Sequence, residues 1–356
     1  MSRLRIAIAF ILILPAGVSA HQLSPALVER VTGTVVASEP SLPVLEDPRG
    51  QERTFLSFPE WYIVYSAQEY AEFVAAGHFP DEFPYFDAIG QYWDAVDYSR
   101  ALAGGTVDDN TETVLKVIGI SFTVENVLIG AYEKTIGRVS SILNARRKTA
   151  EDWYTDQVAK EYGEFLLQTP WYEFAYDRAL PGLWSTWGWS SMTIRGMERR
   201  AIYTVGYSIK GAYGALIKKA TKTQLGSASL TTRFTVSGIS ADALSEIEGI
   251  TEVIDNQDGT VSAEGARYRA FVRLARALSY TKASFVSIQG HDRIMLTLLT
   301  RADDPCVAGE EIAFSMPILT SEDLSRVAIV TPVNELTALI DRAVACGAAL
   351  EHIYDY

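Results

Sequence analysis

The sequence is short of the residues that carry chemistry. Of its 356 residues, two are cysteine, Cys306 and Cys346, and four are histidine, His21, His78, His291 and His352. No histidine stands in a His-Glu-x-x-His pair, and the chain has no Gly-x-Ser-x-Gly elbow, phosphate-binding glycine loop or Gly-x-Gly-x-x-Gly turn. Motif-based routes to a metalloprotease, a serine hydrolase or a nucleotide-dependent enzyme are therefore closed. Neither cysteine has a histidine or second cysteine at ligand spacing, so no metal site and no cofactor are expected. Positive charge is also scarce. The 31 Lys and Arg face 44 Asp and Glu, a net charge of −13, which argues against nucleic acid as a partner. Proline is absent between Pro84 and Pro170, which leaves room for long uninterrupted helices.

What is present begins with MSRLRIAIAFILILPAGVSA. Arg3 and Arg5 form a short basic start, Ile6 to Leu14 an apolar run, and Val18-Ser19-Ala20 a small-residue cleavage site. Residues 1–20 read as a secretory signal peptide. The competing reading is an uncleaved anchor, because no charged residue occurs from Ile6 to Val28. Either way the body is expected to be exported, to the periplasm or the periplasmic face of the inner membrane. In an oxidising compartment Cys306 and Cys346 can pair; the alternative is that Cys346 is a small buried hydrophobe on a helix.

Residues 21–50, with SEPSLPVLEDPRG, read as an extended tether. From 51 to 226 helical periodicity dominates, giving a helical, aromatic-rich domain. Ser66 and Thr149 are candidate helix caps, while Gly77, Gly104-Gly105 and Thr169-Pro170 are candidate stops. From 227 to 356 the texture changes to short strand-like runs. The order β-α-β-β-α-β, with Asp258-Gly259 as a hairpin turn, predicts a ferredoxin-like α+β domain. ASFVSIQ is the last strand of that pattern and RIMLTLLT an added one, with Gly290-His291-Asp292 read as a hairpin turn between them. The fold class expected is thus α+β, with a mostly helical N-terminal domain followed by a ferredoxin-like one.

Three segments are candidates for function. In RRAIYTVGYSIKGAYGALIKKATK and just before it, Met197, Ala201, Val205, Ile209, Ala212 and Leu216 recur at helical spacing. Between Thr186 and Lys222 seven basic residues are opposed only by Glu198, and Trp184, Trp187 and Trp189 lie just upstream. The preferred reading is a scaffold helix with its apolar stripe in the core and its cations solvated. The second reading is a membrane or anion contact made by Trp184, Trp187, Trp189, Arg195, Arg199, Arg200, Lys210, Lys218 and Lys219. VLKVIGISFTVENVLIGAY (114–132) is apolar enough to suggest a span, but Glu125 and Asn126 would sit at its middle, so a buried core helix is preferred. Finally, Glu60, Trp61 and Tyr62 and Trp171, Tyr172 and Glu173 repeat an aromatic-carboxylate theme that would suit a ligand cleft.

FPEWYIVYS, PWYEF, the RGMERRAIYTVGYSIKGAYGALIKKAT run and the terminal EHIYDY together resemble an uncharacterised family of exported or membrane-anchored bacterial proteins. The resemblance implies no activity, cofactor or catalytic residue. The function expected is a non-enzymatic binding or assembly module of the cell envelope, whose partner is a membrane surface or an envelope protein. An envelope hydrolase using Glu60 or Glu173, and a periplasmic small-ligand binder, are the alternatives.

Overall fold

The computed structural model describes residues 50, 52–105, 107–186, 188, 192–224, 231–301 and 303–354. The expected signal or anchor segment and residues 21–49 of the tether lie outside them. Among the described residues eight α-helices come first: α1 (Glu52–Leu56), α2 (Phe58–Ala75), α3 (Tyr85–Leu102), α4 (Asp109–Tyr132), α5 (Arg138–Leu143), α6 (Ala150–Leu166), α7 (Tyr176–Ser185) and α8 (Ile194–Gln224). A π turn, Glu133–Gly137, joins α4 to α5, so the two run on as one helical stretch. α2 starts at Phe58 with Pro59 in its first turn, where a missing N–H costs nothing, and runs through the expected cap at Ser66. It stops at Gly77, which takes a left-handed conformation with φ of +100°. α6 opens on a full capping box: Thr149 Oγ1 accepts from the Asp152 N–H, and Asp152 accepts from the Thr149 N–H. α4 approaches α3 closely because its buried face carries glycine. A Cβ at Gly119 would lie 2.5 Å from the Tyr92 ring, and one at Gly130 would lie 2.9 Å from the Tyr85 Cβ.

The rest of the described chain builds two antiparallel four-stranded sheets. β1 (Thr231–Ser237), α9 (Ala241–Ser245), β2 (Ile250–Asp255), β3 (Thr260–Ala266), α10 (Arg269–Ser279) and β4 (Ser284–Ile288) give a sheet of order β2-β3-β1-β4. β5 (Arg293–Thr300), β6 (Ile312–Pro317), β7 (Ser325–Pro332), α11 (Leu336–Cys346) and β8 (Ala349–Ile353) give a sheet of order β6-β7-β5-β8. The two orders are the same, strand for strand. The architecture is therefore α+β. One expectation is corrected: Gly290-His291-Asp292 does not close a hairpin. β4 pairs with β1 and β5 pairs with β7 and β8, so this turn carries the chain from one sheet to the other.

The second sheet is buried on both faces, which explains why RIMLTLLT and RVAIVT read as unbroken apolar runs. Ile294, Leu296, Leu298, Val327 and Ile329 join Phe234, Phe271, Phe285, Leu339 and Ile340 in a core shared by both sheets and the helices α10 and α11. Met295, Ala328 and Val330, pointing the other way, pack with Phe314 and Met316 against Phe58, Trp61, Tyr62, Tyr65 and Tyr92. The described residues accordingly cluster as one compact unit. Two segments that stand out in the sequence meet in this second core. Trp61 lies against His352 with ring centroids 3.6 Å apart, and the Tyr65 and Tyr354 hydroxyls are hydrogen-bonded at 2.9 Å. Arg326 is buried beside them. It donates to Glu351 at 2.7 Å and to Glu69 at 3.2 Å, and lies 4.1 Å above the Tyr65 ring.

A disulfide joins Cys306 to Cys346 across 40 residues, tying the loop before β6 to the end of α11. Closing a loop of that size restricts the unfolded chain, so reduction is expected to cost about 2–4 kcal/mol. A urea titration with and without reductant measures it. His352 supplies a second prediction. Burial, with a contribution from Arg267, depresses its pKa from 6.5 to about 3, so the folded protein holds it neutral. A depressed folded pKa favours folding above the unfolded value, and that contribution is lost progressively as pH falls from 6.5 toward 3. Replacing His352 with Gln should flatten this part of the stability profile in urea titrations at pH 7, 5 and 4.

Candidate functional site: apolar outer faces over a buried ion network

The basic helix of the sequence is α8, and its polarity is inverted relative to expectation. Arg195, Arg199 and Arg200 are almost fully buried, with 1%, 0% and 4% of their surface exposed. The stripe of Met197, Ala201, Val205, Ile209, Ala212 and Leu216 is exposed instead. This corrects the scaffold reading at its stripe and the contact reading at three of its residues. The stripe does not enter a core, and the three arginines do not form a surface contact. Among the described residues from Ile194 to Leu216, every exposed position is uncharged.

The arginines turn inward because carboxylates wait there. Arg195 makes a forked contact with Asp152, its Nη2 donating to Oδ1 at 2.7 Å, and also donates to the Gly137 carbonyl at 2.9 Å and to Ser140 at 3.0 Å. Arg199 donates to Glu133 at 2.7 and 3.1 Å and to Glu198 at 2.7 and 2.5 Å. Arg200 donates to Glu151 at 2.6 Å. Glu198 also accepts from Tyr132 and from Ser140. Asp152 serves twice, capping α6 and holding Arg195. The π turn serves the network too. It places Glu133 and Gly137 on the buried side, and a Cβ at Gly137 would fall 2.2 Å from the Glu133 carboxylate. Burial raises the Glu133 pKa, with Arg199 acting in the opposite sense. Nearby, Lys148 and Asp156 pair at 2.6 Å, and burial raises Asp156 to about 6.

The partner of α8 in much of this network is the α4–α5 stretch. Lys210 meets Glu125 at 2.7 Å, Arg199 meets Glu133, and Arg195 meets Gly137 and Ser140. As the number rises on one helix it falls on the other, so the two run antiparallel. α4–α5 shows the same inversion. Thr111–Leu143 spans 33 residues and is long and apolar enough to cross a membrane, yet only 22% of its most apolar window is buried. Val114, Val117, Ile120, Val124, Val127 and Leu128 are each 42–52% exposed, and Ile136, Val139, Ile142 and Leu143 continue the row at 55–63%. The expected buried core helix is thus corrected as well. From Val117 to Gly137, Glu125 is the one exposed charged residue, and it is paired with Lys210.

The remaining candidates are placed as follows. Trp184 is half exposed, donates its indole N–H to Thr204 at 3.2 Å, and lies under Arg200. Trp187, Trp189 and the side chain of Lys219 lie outside the described residues. Lys218 pairs with Glu173 at 2.9 Å. Trp171 stacks on Tyr213 of α8, and Tyr172 lies edge-on beside it. Trp61 and Tyr62 are interior side chains on α2, 5% and 1% exposed, while Glu60 is exposed. This corrects the expected cleft: two of its aromatics fill the core beneath the second sheet, and the Trp171–Glu173 triplet braces α8. The network itself was missed in the sequence because its carboxylates come from three separate elements.

Glu133→Ala would leave the buried Arg199 with one carboxylate partner fewer. A broken buried pair costs about 3–5 kcal/mol, whereas replacing both partners with apolar groups of similar size is far milder. Chemical denaturation should therefore show Glu133→Ala to be less stable than the double variant Glu133→Leu/Arg199→Met. No family model, curated protein or solved structure matches this chain.

Proposed function

We propose that the protein is a non-enzymatic binding or assembly module of the cell envelope, held at a membrane by the exposed apolar faces of α4–α5 and α8. The observation that carries this reading is the inversion of polarity. In a water-soluble helical bundle the apolar stripe turns inward and the charges outward. Here α8 turns its arginines inward to carboxylates of α6, of the π turn and of its own chain, and both α8 and the α4–α5 stretch that runs antiparallel to it face outward largely with Val, Ile, Leu and Met. Contiguous apolar surface on that scale marks a contact with lipid or with another protein. The N-terminal apolar run favours lipid. Whether cleaved or kept, it directs the chain to a membrane, and about thirty residues of tether separate it from the folded body.

The C-terminal half is read as the part that binds or assembles. The strand order β2-β3-β1-β4, with a helix after β1 and another after β3, supports a ferredoxin-like unit. The same order in β6-β7-β5-β8 supports a second such unit in which the short 3₁₀ turn Pro305–Val307 replaces the first helix. The outer face of the first sheet carries the Arg233–Glu264 pair and the hydrogen-bonded hydroxyls of Thr235 and Ser262, a surface suited to polar partners.

Flotation with phosphatidylcholine–phosphatidylglycerol vesicles tests the membrane reading. Val124→Asp combined with Val205→Asp is expected to reduce recovery in the floating fraction at least tenfold with the fold intact by circular dichroism. Failure of the parent protein to float once residues 1–28 are removed would overturn it.

A further inference from the structure

Resting on the membrane reading above, we infer that α4–α5 and α8 lie in the plane of the membrane within one leaflet and do not cross it. The first argument is length. Exposed apolar side chains run from Val114 to Leu143 along one helical stretch. At 1.5 Å per residue that row is about 44 Å long, against a hydrocarbon core of about 30 Å. A crossing helix would leave part of the row in water, whereas a helix lying flat covers all of it.

The second argument is what stands behind the helices. A crossing segment is surrounded by lipid or by other apolar segments. α6 packs on α8, joined to it by the Arg195–Asp152 and Arg200–Glu151 pairs. Its own exposed positions include Gln157, Lys160, Glu161 and Glu164. A crossing arrangement would take that charged face to hydrocarbon depth with α8. With the bundle lying flat, the apolar faces meet acyl chains while α6 stays in water, the arrangement of an interfacial amphipathic helix extended to a helix pair.

The third argument is charge. Arg138 is exposed within the apolar row, flanked by Ile136 and Val139. Glu125, also exposed and paired with Lys210, stands near the middle of the row, where a crossing helix would take charge to the costly centre of a bilayer. At the depth of a flat-lying helix the Arg138 stem lies along acyl chains and its head reaches a phosphate. The partner is therefore the acyl-chain and phosphate layer of a single phospholipid leaflet.

Depth measurement tests this. Single cysteines at Val117, Leu128 and Val139 in the full-length protein, whose own cysteines are joined in the disulfide, would carry a fluorophore. Phosphatidylcholine–phosphatidylglycerol vesicles with quenchers placed high or low on the acyl chain then report depth. The in-plane arrangement predicts that all three positions are quenched more by the shallow quencher, with ratios alike within about twofold. A profile in which Leu128 alone is quenched most by the deep quencher overturns the in-plane arrangement and leaves the membrane reading standing. No quenching at any position, with the helical spectrum intact, overturns both. So does a lipid-free dimer by light scattering in which the three labels are already shielded, since a second copy then occupies the face.

Discussion

The buried ion network fixes the character of the helical half of the molecule. Three guanidiniums and four carboxylates come together where α4–α5, α6 and α8 meet. Charges taken out of water need partners at hydrogen-bond distance, and here each has one. Once those positions are spent on pairing, the interior of this region has little room for the apolar stripes of the same helices. The stripes turn outward, and the outer surface becomes apolar. One constraint therefore accounts for the inward arginines, the outward valines, the π turn that presents Glu133 and the glycine at position 137.

Much of the frame was legible in the sequence. The glycine stops at Gly77 and Gly104-Gly105, the capping box at Thr149 and the strand texture after residue 230 are local signals, and local geometry follows them. Periodicity also gave α8 its helical phase. It did not say which side of the helix faces in. A stripe of Met197, Ala201, Val205 and Ile209 has the same spacing whether it meets a core or lipid, and only the distant partners Asp152, Glu133 and Glu151 decide. Likewise, the sharp turn at Gly290-His291-Asp292 is visible as a turn, but whether the strands beside it pair depends on β1 and β7. The two aromatic-carboxylate triplets misled for a related reason: tyrosine and tryptophan serve equally well as ligand platforms and as core filling, and Trp61 and Tyr62 are core filling.

The second sheet joins the halves. One of its faces packs on the helices α10 and α11 and the other on α2 and α3, and Arg326 bridges Glu69 of α2 to Glu351 of β8. The aromatic-rich N-terminal helices and the strand region therefore share side chains in one core.

The pairing of Trp61 with His352 and of Tyr65 with Tyr354 has a consequence for how the protein is made. These contacts link residues 289 apart or more in sequence, so the first helices cannot bury their aromatic face until the last strand has been synthesised. Until then α2 exposes Phe58, Trp61 and Tyr65 as a sticky surface, alongside helices that stay apolar on the outside even when folded. Completion of this core therefore waits on β8 rather than on the order in which the helices emerge.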